Sequence, residues 1–441
     1  MPKAQQKLGI LVGGGPAPGI NSVIAAATIR GSNEGFPVIG IEEGFRWIMK
    51  GDTSHVQRLR IEDVTRLHFR GGSHLGIARD NPTKDPDHMA NTIESLVSLG
   101  IDKLITIGGD DTMYGAMRLE EAAGGRIKVV HVPKTIDNDL DLPGGAPTFG
   151  FQTARHVGSS IVKNLMADAQ TTARWYLVIS MGRKAGHLAL GIGKASAATA
   201  TIIPEEFPGD TIHLSQIADI IVGAIVKRRT MGRRDGVIIL AEGLLERLDP
   251  NDLKQLETAE RDEYGNIRLG EIEFAPVIKR AVMARLKHFQ IKATVTTFDI
   301  GYELRCADPI PMDMEYTRDL GYCAAQFIIN GGSAAVVAIV NGHFRPLYFK
   351  DMLDPDTGRT RVRMVDVGSE YYHIARRYMI RLNRLDFDDR KELAKYAAVC
   401  GITPERFHDE FHYLVENNLL YSKLDQEDRR VNAIEQIKVP F

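Results

Sequence analysis

The chain has 441 residues, more than one ordinary hydrophobic core organises, so two domains are expected. Hydrophobic residues make up 44% and charged residues 25%, the composition of a globular protein in water. A net charge of −2 gives no bulk basic field and argues against nucleic acid or a membrane surface as partner.

Near the start, "LGILVGGG" (8–15) is a short apolar run broken by glycines, too short for a signal peptide or a membrane span. It reads as a strand buried on both faces, as do "KLITIGG" (103–109), "KVVHVPK" (128–134), "YLVISMG" (176–182), "GVIILAEG" (236–243) and "AAVVAIVNG" (334–342). Helical stretches lie between them. "MANTIESLVSLG" (89–100) is expected to turn Ile93, Leu96 and Val97 to one face and to stop at Gly100. The basic run "KRRTMGRR" (227–234) lacks interleaved aromatics and reads as a solvated helix end. From about Ile374 the pattern becomes helical, broken near Gly401–Thr403, with Thr403 as N-cap and Pro404 at the first helical position. This C-terminal extension is expected to pack or to serve an oligomer contact. Cys306, Cys323 and Cys400 are few, odd in number and without zinc-type spacing, which suits a reducing, cytoplasmic location.

Alternating strands and helices predict a doubly wound α/β fold, whose ligands sit at the carboxyl ends of the strands. The residues with chemistry to offer fall there: Gly13–Gly15, Asp110–Asp111, Lys134–Asp139, Met181–Arg183 and Glu242. "GGGPAPGIN" (13–21) fits a phosphate cradle and a plain strand-to-helix turn about equally; it lacks the closing Gly-Lys-Ser/Thr of a Walker A loop. "RGGSHLGIARDNP" (70–82) contains Arg79, a phosphate clamp or a surface arginine. "GGDDT" (108–112) puts Asp110 where Mg²⁺ would take one carboxylate beside phosphate oxygens and water; an N-cap aspartate would explain one carboxylate but not two. In "VPKTIDNDL" (132–140), an extended loop would turn Asp137 and Asp139 to one space and Asn138 away, with Lys134 as a neighbouring cation. One of the two carboxylates then accepts a proton while the other tunes it or holds metal.

Taken in order, "GGPAPGIN", "GGDDT", "PKTIDND", "TFGFQTA" (148–154) and "MGRKAGH" (181–187) resemble the phosphofructokinase family over roughly residues 7–350. The resemblance implies two Rossmann-like doubly wound lobes with the active site between them, plus the helical C-terminal extension. Residues 1–150, completed by about 306–360, would form the phosphoryl-donor lobe; 151–305 the sugar-phosphate lobe; 361–441 the extension. The implied reaction is Mg²⁺-dependent phosphorylation of the 1-hydroxyl of fructose 6-phosphate. Asp137 matches the base; Thr135 and Asp139 match its neighbours; Asp110 matches the magnesium aspartate. Gly14, Gly15, Arg79 and Thr112 match donor contacts. Met181, Gly182, Arg183 and Glu242 match the sugar-phosphate pocket. Arg174 matches an arginine that reaches the 6-phosphate from a neighbouring subunit, so a homodimer or homotetramer is implied.

The resemblance also speaks to the donor. Simple bacterial ATP-using members carry glycine where this chain has Asp111 and Lys134, whereas members using inorganic pyrophosphate carry Asp and Lys. The physics agrees: at ~4 Å and an effective dielectric near 20, Asp111 would repel the α-phosphate of ATP by roughly 4 kcal/mol. Lys134 neutralises the compact pyrophosphate. Lys134 and Arg183 would share the charge on the moving phosphoryl. The family's glutamine–arginine–glycine motif appears as "GYELRCA" (301–307), retaining Tyr302 and Arg305 for sugar-phosphate roles, with Lys292 as the substitute for a missing upstream arginine. That departure makes sedoheptulose 7-phosphate a competing acceptor. The other rivals are an ATP-dependent enzyme tolerating Asp111, a lipid or NAD kinase with a similar glycine–aspartate loop, against which "PKTIDND" followed by "MGR" argues, and a non-catalytic subunit on the same fold. Ala25 and Ile29 stand where bacterial members carry effector-site arginines, so no such effector site is expected.

Overall fold

The structure is a computed structural model and describes residues 6–254, 273–354 and 360–416. The expected extension from residue 417 onward lies outside the described residues. In chain order the strands are β1 (Lys7–Val12), β2 (Val38–Ile41), β3 (Val56–Leu59), β4 (Ile101–Gly108), β5 (Lys128–Thr135) and β6 (Phe149–Gly150). β7 (Arg174–Ser180), β8 (Ala200–Ile202), β9 (Gly236–Ala241), β10 (Thr294–Ile300), β11 (Ala335–Val340) and β12 (His343–Tyr348) follow. The chain divides into two compact units: residues up to Val157 with Gly301–Arg363, and Gly158–Ile300 with the residues from Met364 onward.

The first unit holds a sheet in the order β12-β11-β5-β4-β1-β2-β3, with β6 beside β5. Its interior pairings are parallel, as the unbroken apolar runs require, and Leu8, Ile10, Ile105, Ile107, Val130 and Val132 are buried on it. The edges are antiparallel: β3 on β2, and β12 on β11. The last pairing is a two-residue hairpin through Asn341 (φ 51) and Gly342 (φ 78), the Asn-Gly sequence such turns favour. Strand order reverses about β1, which lies between β2 and β4. Crevices at such a reversal, outside the carboxyl ends of the strands, are where open α/β sheets bind ligands.

The helix Pro86–Ser98 packs beneath this sheet. Asp85 caps it, its Oδ1 accepting from Asp87 N at 2.9 Å, and Pro86 takes the first helical position. Ile93 and Leu96 are buried as expected, but Val97 is 43% exposed. The helix docks through Thr92, Ile93, Ser95 and Leu96, a face that turns Val97 to solvent.

The second unit holds an all-parallel sheet in the order β10-β7-β9-β8. Trp175, Leu177, Ile238 and Leu240 on it pack with Ile221, Val222 and Ile225 of the helix Leu214–Thr230. Leu393 and Tyr396 of the helix Arg390–Cys400 and Phe407 and Phe411 of the helix Pro404–Phe411 join the same core. The C-terminal helices are therefore structural members of this unit. The break between them is made as the residues suggest: Gly401 (φ 64) ends one helix, and Thr403 Oγ1 accepts from Arg406 N at 3.3 Å to start the next. The basic run at 227–234 is only partly solvated. Lys227 Nζ donates to Asp386 Oδ2 at 2.6 Å, and Asp235 accepts from Arg228 (3.3 Å) and Arg233 (2.9 Å). Met231–Arg234 are exposed.

Candidate active site

Three turns at the carboxyl ends of β1, β4 and β5 meet in the first unit. The turn after β1 is tied on both sides: Gly13 N donates to Ile107 O (2.9 Å) and Gly14 N to Ala78 O (3.0 Å). Thr112 fills the space between the turns. A Cβ on Gly13 would lie 2.6 Å from Thr112 Oγ1, and one on Gly108 would lie 2.4 Å from Thr112 Cβ, so both positions need glycine. Beneath them His131 is fully buried. Its Nε2 donates to Gly108 O (3.0 Å) and its Nδ1 accepts from Thr106 Oγ1 (2.8 Å). Burial pushes the imidazole down to about 3, so the ring stays neutral and holds the Gly108 carbonyl.

Asp110 and Asp111 both occupy the first turn of the helix Asp110–Ala123, whose N-cap is Gly109. The helix's positive end favours both carboxylates, so the local structure accounts for the pair as well as for one. Asp110 is half-buried and Asp111 exposed, with the Asp111 carbonyl accepting from Asn81 Nδ2 at 3.3 Å.

Lys134, at the end of β5, is 5% exposed, and its Nζ donates to Gly15 O. Burial lowers its pKa to about 8; Asp137, Asp110 and Asp139 pull it upward and Arg305 downward. The ammonium thus shares one electrostatic neighbourhood with all three candidate carboxylates. Thr135 Oγ1 accepts from Asp137 N (3.0 Å) and donates to Asp139 Oδ1 (3.2 Å). Asn138 does turn away from them and is buried, but not through an extended loop. It takes the left-handed conformation (φ 57), and its Oδ1 accepts from Thr148 N at 3.0 Å. Behind the loop, buried Asp313 accepts from Gly150 N (3.0 Å), Thr153 N (2.7 Å) and Thr153 Oγ1 (2.6 Å), which sets the start of the helix Phe151–Thr172.

Gly14, Gly15 and Pro16 open on a cavity of about 540 Å³ lined also by Arg46, Arg79, Asp80 and Lys84. Arg46 is paired with Glu43 and Asp80, each at 3.2 Å. Arg79 is exposed. Tyr302 and Arg305, expected in the 151–305 stretch, belong to the first unit. The reason is a contact between distant parts of the chain: Gly71 N donates to Asp308 Oδ1 at 2.9 Å, drawing the 305–308 turn onto the 70–72 turn. Tyr302 is 80% exposed with Arg305 Cζ over its ring at 5.2 Å, and a Cβ on Gly15 would lie 3.9 Å from that Cζ.

In the second unit, β7 and β9 bring Met181, Gly182 and Glu242 together. Met181 N donates to Ile300 O (2.9 Å), Gly243 N to Gly182 O (3.0 Å) and Gly182 N to Glu242 Oε2 (3.3 Å). Arg183 is exposed, its Nε 3.1 Å from Glu246 Oε1. Arg174 begins β7 with its Nε 3.7 Å from Asp168 Oδ2. Lys292 is exposed.

The chain belongs to the phosphofructokinase family, whose model matches residues 7–328 and so spans the three turns of the first unit. It is 50% identical over 416 residues to pyrophosphate–fructose 6-phosphate 1-phosphotransferase of Thermotoga maritima, covering 93% of this chain and 99% of the relative. It is 45% identical over 424 residues to the protein of the same name from Naegleria fowleri, covering 94% and 97%. Among solved structures, a pyrophosphate-dependent phosphofructokinase from Nitrosospira multiformis superposes with a TM-score of 0.62 at 17% identity, over 85% of this chain and 91% of that one. The last likeness supports the fold.

Proposed function

We propose that the chain transfers a phosphoryl group reversibly between inorganic pyrophosphate and O1 of fructose 6-phosphate. The observation that carries this reading is Lys134, a buried ammonium held on the Gly15 carbonyl within electrostatic range of Asp110, Asp137 and Asp139. The two relatives named above, alike over nearly their whole lengths, bear the same activity in their names.

Each residue then has a task. The Gly14–Gly15 turn, Thr112 and Arg79 receive the donor phosphates. Asp137 takes the proton from O1 as the oxygen attacks the terminal phosphorus in line, and phosphate leaves. Thr135, through its hydroxyl, fixes Asp139 and the Asp137 amide. Lys134 and Arg183 offset charge on the moving phosphoryl. Met181, Gly182, Arg183, Glu242, Tyr302 and Arg305 are assigned to the sugar phosphate. Asp110 fits a Mg²⁺ ion that draws its other ligands from phosphate oxygens and water: it offers a hard, half-buried carboxylate at the end of β4. When bound, Mg²⁺ would neutralise charge on the pyrophosphate oxygens. Asp111 is assigned to exclude nucleotide by repelling the α-phosphate. Arg174 is assigned to the 6-phosphate of a neighbouring subunit, so the active form is a homodimer or homotetramer. A cytoplasmic location belongs to the same reading. Among the described residues no helix is long and apolar enough to cross a membrane.

The test is initial rates of the purified chain with Mg²⁺, pyrophosphate or ATP as donor, and fructose 6-phosphate or sedoheptulose 7-phosphate as acceptor. Turnover with pyrophosphate and fructose 6-phosphate is expected. Turnover with ATP alone sinks the donor assignment, and a preference for the seven-carbon sugar sinks the acceptor assignment.

A further inference from the structure

Arg363 lies beyond the 7–328 stretch that the family model matches, yet its hydrogen bonds converge on the loop that carries Asp137 and Asp139. Its Nε donates to Asn138 O (3.1 Å), as does Nη2 (2.9 Å). Nη2 also donates to Asn138 Oδ1, and Nη1 to Ala146 O (2.9 Å). The Arg363 amide donates to Asp139 O at 2.7 Å, and Leu140 pairs with Val362 in an antiparallel bridge. One side chain and its own backbone thus hold the carbonyls of residues 138, 139 and 146.

Asn138 is the pivot. It is left-handed, a conformation asparagine tolerates better than other side-chain-bearing residues but that neighbouring contacts must still hold. The backbone direction at Asn138 fixes how Asp139 is presented relative to Asp137. Thr148 pins the other side: its Oγ1 donates to Thr135 O (2.7 Å), and its amide donates to Asn138 Oδ1 (3.0 Å). Arginine suits the outer pin because its flat, fixed fork reaches several carbonyl oxygens at once, which a lysine ammonium on a flexible stem does not.

We infer that Arg363 is a positioning residue for phosphoryl transfer, clamping the 135–148 loop so that Asp137 and Asp139 are aimed at the reacting oxygen. The inference rests on the proposed reaction. Arg363→Ala is expected to lower kcat about 30- to 100-fold, the scale of a misaligned catalytic group, while KM for both substrates changes less than about threefold. Arg363→Lys should fall almost as far, and guanidinium at concentrations well below unfolding should restore part of the kcat of Arg363→Ala. Amide exchange in residues 135–148 should rise in both variants with exchange elsewhere in the first unit unchanged. Unaltered kcat in either folded variant overturns the idea. So does a loss that guanidinium does not rescue and that comes with faster exchange throughout the unit, which marks a merely structural role. If the parent chain uses ATP, the pyrophosphate reading fails, but the same kcat ratios measured with ATP still test the clamp. If it turns over neither donor, the exchange pattern decides.

Discussion

Lys134 and Arg183, one in each unit, carry the same charge in opposite surroundings. Lys134 is 5% exposed and held by a backbone carbonyl, while the Arg183 side chain is 69% exposed and leans on Glu246. The contrast extends to their neighbours. In the first unit, Thr112, His131 and the glycines interlock. In the second, Arg183 rests on Glu246, an exposed contact of about 0–1 kcal/mol. On the proposed reading, the cation beside the donor phosphates is fixed in place, while the cation assigned to the sugar phosphate is exposed.

The sharpest way to break this contrast is at Asp137. Asp137→Ala should reduce kcat by roughly 10²- to 10⁴-fold, the span of a lost general base. Calorimetry should find fructose 6-phosphate binding nearly unchanged, and near-normal turnover would remove Asp137 from the base role. Next in size is Asp111→Gly. The ratio of kcat/KM for ATP to that for pyrophosphate should rise by roughly 10²-fold, below the full Coulomb figure because Asp111 is exposed. An unchanged ratio would mean that its carboxylate does not meet the α-phosphate.

Smaller still is a pH effect. The ordinary lysine pKa of 10.5 falls to about 8 here because of burial. Lys134 therefore loses its charge as pH rises through about 8, and KM for pyrophosphate should climb up to about tenfold per unit above that. Lys134→Met should raise KM at every pH and flatten the climb. For stability the sign is the reverse of a buried ion pair: the protonated lysine costs the folded state most below about 8, and the cost fades as pH approaches 10.5. Smallest is Arg183→Ala. KM for fructose 6-phosphate should rise by about tenfold and kcat should fall by a similar factor, while Tm moves little, as expected for loss of an exposed ion pair. A large drop in Tm would mean the second side is as built as the first.

What could be read from the sequence is what short-range signals encode. Apolar runs ending in glycine announced the parallel strands, and the residues after them are where the three turns of the first unit meet. Thr403 and Pro404 announced a helix start. The misreadings involve partners far along the chain. The left-handed turn at Asn138 is braced by an arginine 225 residues away. Arg305 joins the first unit because Asp308 binds the amide of Gly71, 237 residues earlier. Val97 is exposed because tertiary docking, not helical period alone, chose the buried face. His131 left a faint mark, a polar ring in the apolar run "KVVHVPK"; Asp313 and Arg363 left none that local pattern could separate from ordinary helix and loop residues.

The notch that Thr112 fills, between Gly13 and Gly108, has a consequence for redesign. It joins two turns from strands far apart in sequence as a mortise takes its tenon, so neither turn can be reshaped alone. Asp111, the residue just before it, is exposed. On the proposed reading, frame and gatekeeper are thus adjacent but separable parts: exchange of one exposed carboxylate would change donor choice and leave the frame as it is.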